Sequence, residues 1–322
     1  METIQKVILV TGGVGFLGRH LCQRLLTDTS DTQVICVDNL VTGSQENIRD
    51  FLGNPRFLFL EWDICQPMEF SRLDEIYHLA CIASPDKYKE HSIATLDTCF
   101  IGTKNILELA REHKARVVFT STSEVYGDPL VHPQVEEYYG NVNTVGERSC
   151  YDEGKRVAET LIYEYRRVYG LDARIVRLFN TYGPYMNLDD GRVITNFIRQ
   201  MKRGEELVIY GDGTQTRSFC YVEDTIDGIM AMMNQDVGMG PANIGNPYCE
   251  ISLNQLVEVF RDFCVDVEGG WGRREVKVRY IAGTENDPQK RKPNIEKAEE
   301  WLGFHPRVDL VEGLRRTFAF YF

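Results

Sequence analysis

A doubly wound parallel α/β sheet with a smaller α+β lobe is predicted by three observations. Short apolar runs alternate with amphipathic stretches over residues 1–180, a glycine-rich turn joins the first run to the first helix, and the alternation fails after Leu178. Strands buried on both faces read as continuous apolar runs, the pattern of parallel strands joined by crossover helices. Six are predicted, at residues 6–11, 33–37, 56–61, 75–79, 116–121 and 173–178. Residues 92–112 carry helical periodicity through Ile93, Leu96, Phe100, Ile106 and Leu109. The longest predicted helix, 151–169, follows a loop of roughly thirty residues, a length usually kept for function. Beyond Phe179, turn signals such as YGPYMN and YGDGTQ mark the second lobe. The expected division is 1–180 and 181–322, with a return to the large sheet within 214–246 through the apolar PANIGN, residues 241–246.

Composition narrows the partners. The 322 residues are 43% hydrophobic and 26% charged, as in a soluble globular protein. A net charge of −12 argues against nucleic acid or an anionic membrane, either of which demands a basic face. No apolar stretch approaches a membrane span, and the start METIQK lacks the apolar segment of a signal peptide, so a cytoplasmic protein is expected. Nine cysteines, the nearest two being Cys22 and Cys36, match neither a disulfide framework nor a metal knuckle. Buried thiols and no metal are expected. Small anions can still be held locally, and Lys290, Arg291 and Lys292 form the densest basic run.

The glycine-rich turn TGGVGFLG, residues 11–18, carries the first chemistry. Gly12, Gly15 and Gly18 let the backbone turn tightly and bring its amides to a pyrophosphate, with Phe16 and Leu17 opening the helix. Asp38 ends the second strand, twenty residues beyond Gly18, where a carboxylate accepts ribose hydroxyls and repels an added phosphate. The pattern is that of a Rossmann-type site for NAD. Arg19, a base beside the turn, is the residue that would favour NADP. Farther along, Tyr151 and Lys155 in YDEGK stand four apart on one helix face. A lysine there stabilises a phenolate and lowers the tyrosine toward working pH. The run VVFTSTSEVYG delivers Thr122, Ser123 and Glu124 to the carboxyl end of a strand, where ligands of open α/β sheets bind. The plainer alternative is that they cap the strand and leave Glu124 solvated.

Taken in order, TGGVGFLG, Asp38, HLACIA (78–83), STSEVYGD (121–128), YDEGK (151–155), LFNTYGP (178–184) and DPQKRKP (287–293) resemble the extended short-chain dehydrogenase/reductases. More narrowly, STSEVYGDPLVHPQ followed by YDEGKR is similar to the UDP-glucuronate decarboxylases, and the likeness runs from Val7 to the C-terminus. The resemblance implies decarboxylation of UDP-glucuronate to UDP-xylose with NAD retained and recycled. It implies a triad of Thr122, Tyr151 and Lys155, with Ser123 and Glu124 facing the sugar, Glu124 aiding proton handling and Arg291 holding the carboxylate. The same likeness sets Asn39, Thr42, Asp63, Ile64, Leu79, Cys81 and Thr98 around the cofactor, Asp63 as an adenine contact or a turn residue. Ser84, Asn180, Arg192, Gln215 and Arg217 fall to the substrate, and a homodimer would pair the helices 92–112 and 151–169.

Three rivals remain. A nucleotide-sugar 4,6-dehydratase commonly sets an Asp-Glu pair after the threonine, where this chain has Ser123, too weak an acid. GDP-mannose dehydratases can carry Thr-Ser-Glu, but their NADP preference conflicts with Asp38. A 4-epimerase must rotate its keto-sugar, which a uronate clasped by Arg291 would resist. A non-enzymatic regulator sensing dinucleotide would have no use for Tyr151, Lys155 and Glu124 together.

Overall fold

Alternation of side chains along each strand builds the two halves of the core. The computed structural model describes residues 4–236, 240–266, 276–283 and 289–322. Asp287 and Pro288 of the DPQKRKP run, and the first three residues of METIQK, lie outside them. Strand β1 (Lys6–Thr11) sends Val7 and Leu9 to one face and Ile8 and Val10 to the other. Both faces are covered, so both sets are buried, each such side chain contributing about 1.5–3 kcal/mol.

Five further strands stand close to the predicted ones: β2 (Thr32–Asp38), β3 (Phe57–Glu61), β4 (Glu75–His78), β5 (Arg116–Thr122) and β6 (Ala173–Leu178). Strand Ala242–Ile244, within PANIGN, pairs with β6 as a seventh. The order is Ala242–Ile244, β6, β5, β4, β1, β2, β3, with every pairing parallel. This is a Rossmann-type doubly wound sheet. The order in which strands are added reverses between β1 and β4, so a crevice opens beyond their carboxyl ends.

Helix α1 (Phe16–Asp28) and helix Val222–Asn234 cover one face. The other is covered from the segment predicted as one helix over 92–112. That segment, preceded by the short helix α2 (Pro85–Glu90), is α3 (Ser92–Asp97), a π turn at Thr98–Gly102, and α4 (Thr103–His113). Thr95 and Thr98 explain the π turn. Their hydroxyls donate to the carbonyls of His91 and Ala94 at 2.9 and 2.8 Å, and such back-bonding loosens and bends a helix. Helix α5 (Ser149–Tyr169) runs beside them and ends on Gly170 in the left-handed conformation. In the later part of the chain, strand Thr216–Ser218 lies between antiparallel Glu250–Ser252 and parallel Lys290–Arg291, and that register sets Arg291 beside Arg217.

Candidate active site

The glycines of the first turn are each forced by a near neighbour. Gly12 has φ +71°, and a Cβ on it would lie 2.8 Å from the Ala80 nitrogen. A Cβ on Gly18 would lie 2.2 Å from the Gly12 carbonyl oxygen. The bare backbone therefore opens at the N-terminus of α1, where amides and helix dipole favour a diphosphate. Asp38, at the tip of β2, accepts hydrogen bonds from the amides of Val14 (3.2 Å) and Leu40 (2.9 Å), which tie it to this turn. Burial raises its pKa, opposed by those amides. The residues fit the diphosphate and ribose of NAD. Arg19 is not free to read a ribose phosphate: it is buried between Phe51 and Tyr185, 4.3 and 4.5 Å from their ring centres, and pairs with Asp50.

A single cavity of about 1330 Å³ begins at this turn and runs across the carboxyl ends of β1, β4 and β5. All but one of the residues that the sequence reading singled out for the site lie on its wall. Gly12, Gly15, Phe16, Leu17, Gly18, Asp38, Asn39, Thr42, Ile64, Leu79, Cys81 and Thr98 line the turn side. Thr122, Ser123, Glu124, Tyr151, Lys155, Ser84, Asn180, Arg192, Gln215, Arg217 and Arg291 line the remainder. Asp63 does not. Its carboxylate accepts the Cys65 amide at 2.8 Å and the Asn39 side-chain amide at 3.4 Å, the work of a turn residue.

Tyr151 is buried with its ring stacked on Tyr88, centroids 5.1 Å apart and planes within 5°. Thr122 stands close enough to its hydroxyl to favour the phenolate. Lys155 donates to the Thr120 carbonyl at 2.8 Å and lies 4.6 Å from the centre of the Phe119 ring. The lowering of Tyr151 expected from Lys155 is overturned in the protein alone. Burial, with Cys81 beside it, pushes the phenol well above its ordinary value, and the nearness of Thr122 offsets only part of this.

Glu124 is not solvated. Its carboxylate takes the guanidinium of Arg291 at 2.8 and 2.9 Å and that of Arg148 at 2.6 Å. Against the opposing effect of burial, Arg291 and then Arg148 hold it down at about 2. A carboxylate so acidic stays an anion at neutral pH, which removes the proton-handling part expected of it while the clasp stands. Arg291 also donates to the Asn180 side-chain oxygen at 3.2 Å and is buried, so it is no solvated basic loop. Arg192 pairs with Asp190 at 3.2 Å and donates to the Ala83 carbonyl. Ser84 donates to the Asp190 carbonyl at 2.8 Å, and Gln215 to that of Tyr210 at 2.6 Å.

Tyr88 and Arg148 are among the lining residues that the sequence reading did not name. Tyr88 reaches the cavity with a buried hydroxyl that has no hydrogen-bond partner among the described residues. Arg148, at the N-cap of α5, was legible only as an anomaly, since a cation at a helix N-terminus opposes the helix dipole. Glu124 is the reason it stands there.

Asp152, on the first turn of α5, completes the cluster. Burial and then Glu124 raise it to about 7, opposed by Arg148. A carboxyl whose folded pKa exceeds its unfolded value destabilises the fold progressively as pH rises from near 4 to 7. Asp152→Asn is therefore expected to raise Tm at pH 8, roughly 2–4 °C for each kcal/mol recovered, and to gain nothing at pH 4. Thermal melts at the two pH values check this.

Residues 8–245 match the model of the NAD dependent epimerase/dehydratase family. UDP-glucuronic acid decarboxylase 6 of Arabidopsis thaliana is 51% identical over 95% of this chain and 86% of its own length. Among solved structures, UDP-glucuronic acid 4-epimerase from Bacillus cereus, in complex with UDP-glucuronic acid and NAD, superimposes with a TM-score of 0.86 at 27% identity, over 98% of each chain. The dTDP-glucose 4,6-dehydratase from Streptomyces venezuelae, with NAD bound, gives 0.87 at 29% identity, over 98% of this chain and 96% of its own. The rival activities thus share the fold at under a third identity, whereas half the residues are shared with a decarboxylase. With its glycine turn, Asp38 and Tyr151–Lys155 helix, this chain belongs to the NAD dependent epimerase/dehydratase family and, within it, stands with the UDP-glucuronic acid decarboxylases.

Proposed function

We propose that this chain is an enzyme that converts UDP-glucuronate to UDP-xylose and carbon dioxide, with NAD held and recycled. The observation that carries the reading is the clasp of Arg291 and Arg148 on Glu124, set across the cavity from Tyr151. Two guanidinium groups meet one carboxylate there, and Arg217 lies in register with Arg291, so this end of the cavity suits a second anion. A uronate supplies one.

Tyr151, as the base, takes the O4 proton, with Thr122 fixing its hydroxyl. NAD, which the Gly12–Gly18 turn and Asp38 would hold, would supply a hydride acceptor and donor for C4 and a positive charge that lowers the buried phenol. The 4-ketone is β to the carboxylate on C5, so oxidation creates the electron sink for decarboxylation. Arg291 orients the carboxylate while it is present and has no covalent part. The enolate left after loss of carbon dioxide spreads onto the oxygen beside Tyr151; a proton drawn from water adds at C5, and Tyr151 returns its own proton to O4 as the ketone is reduced. Arg192 and Arg217 neutralise the diphosphate, and Ser84, Asn180 and Gln215 hold the nucleotide-sugar. Residues 1–180 with the return within 214–246 serve the cofactor, and 181–322 mainly the substrate.

The test is an NMR time course with UDP-glucuronate and catalytic NAD. Loss of the H5 signal with appearance of UDP-xylose supports the reading. Conversion to an epimer, or no conversion of the uronate, overturns it.

The enzyme works as a homodimer in the cytoplasm. Ile93, Phe100 and Ile101 on the α3 to α4 segment and Tyr163, Val168 and Tyr169 on α5 are exposed, an apolar face that a two-fold partner would cover. Eight free cysteines among the described residues suit a reducing compartment. No described helix is long and apolar enough to cross a membrane. Light scattering at micromolar concentration is expected to give twice the 37.0 kDa chain mass. A monomer would count against the dimer.

A further inference from the structure

Cys81 and Cys99 bring their sulfurs to 3.5 Å across the cavity wall. Cys81 follows β4 and lines the cavity beside Tyr151, whereas Cys99 is buried on the π turn that interrupts the α3 to α4 segment. Gly154, between Tyr151 and Lys155 on α5, makes the space that Cys99 fills: a Cβ there would lie 3.1 Å from its sulfur. The ammonium of Lys155 is near enough to Cys81 to favour its thiolate. One thiol is thus in the wall of the active site and its neighbour is held beneath it, within reach of the residues that carry the reaction.

We propose that Cys81 and Cys99 form an oxidisable thiol pair that a hydroperoxide converts to a disulfide, and that the bond shuts off the active site. Cys99 and Lys155 bring the Cys81 thiol down to about 7 against burial, and Cys99 itself is pushed up, so Cys81 is the nucleophile and Cys99 the resolving thiol. The Cys81 thiolate attacks a peroxide oxygen, the O–O bond breaks, and with hydrogen peroxide one water leaves after protonation. The Cys99 sulfur then attacks the sulfenic acid, the S–O bond breaks, and the departing hydroxide leaves as water with the Cys99 proton. Two thiols are oxidised by two electrons and one peroxide is reduced to two waters. The sulfurs must close to about 2.05 Å, which draws Cys81 from Lys155 and shifts the wall beside Tyr151. A thiol reductant reverses the bond.

The holoenzyme treated with hydrogen peroxide, then alkylated and digested, tests this. A peptide cross-linked from Cys81 to Cys99, turnover lowered by about tenfold or more, and recovery with dithiothreitol are expected. In Cys99→Ala, turnover before oxidation is retained, no such peptide forms, and Cys81 climbs to the sulfinic acid, which dithiothreitol does not restore. The absence of the cross-linked peptide from the wild type, or a cross-link from Cys81 to the neighbouring Cys150, overturns the proposal. So does full turnover with the bond formed, or reversible inactivation unchanged in Cys99→Ala. Peptide mapping needs no substrate, so a failure of the assigned reaction is separable from a failure of the thiol pair.

Discussion

Tyr151→Phe is expected to lower kcat for UDP-glucuronate by roughly 10²–10⁴-fold, the range that a positioned base contributes. NAD retention should be unchanged. The substitution keeps the ring that stacks on Tyr88 and removes only the hydroxyl near Thr122, so packing of α5 against the cavity is preserved. The same burial predicts a pH profile. Since the phenol lies above its ordinary value, its base form is the minor one at neutral pH, and wild-type kcat/KM should rise as pH increases from 6 to 9. Steady-state rates, with cofactor content read from absorbance, check both statements. Turnover surviving in Tyr151→Phe, or a profile that falls across this range, would move the base elsewhere.

The parts of this site legible in the sequence were those whose meaning is local. A glycine turn between an apolar run and a helix, an acid at the next strand end, and a Tyr and Lys one helical turn apart each carry their chemistry in their spacing. Strands such as β1 and β6 were legible because burial on both faces leaves a continuous apolar run. The helix predicted over 92–112 is continuous, but its π turn at Thr98–Gly102 was not legible, because hydrogen bonds such as those of Thr95 and Thr98 to the backbone leave no mark on helical periodicity. Arg148 and Tyr88 were missed because their partners, Glu124 and Tyr151, lie 24 and 63 positions away (148 − 124 and 151 − 88) and only the fold brings them together. The state of Tyr151 was misread for the same reason. Spacing places Lys155 beneath it, but the balance between that cation and burial depends on where the ammonium points, and it points at the Thr120 carbonyl.

Arg291→Ala is expected to reduce kcat/KM for UDP-glucuronate by roughly 10²–10³-fold, because a bidentate, charge-assisted contact to a carboxylate contributes several kcal/mol in a buried site. Affinity for UDP, which lacks the carboxylate, should change little. The fold should survive. Glu124 would lose one guanidinium, but Arg148 remains at 2.6 Å, so no buried carboxylate is orphaned and the penalty stays within about 1–3 kcal/mol. Arg291→Lys sharpens the test, since an ammonium keeps the charge and loses the planar fork. If the fork orients the carboxylate, the lysine variant should recover binding of UDP-glucuronate more than turnover. Isothermal titration with UDP and UDP-glucuronate, beside steady-state rates, separates these outcomes. Equal losses for the two ligands would make Arg291 a framework residue that only holds Glu124. The uronate would then have to be read by Arg148, Arg192 or Arg217, the other arginines that line this cavity near Tyr151 and Glu124.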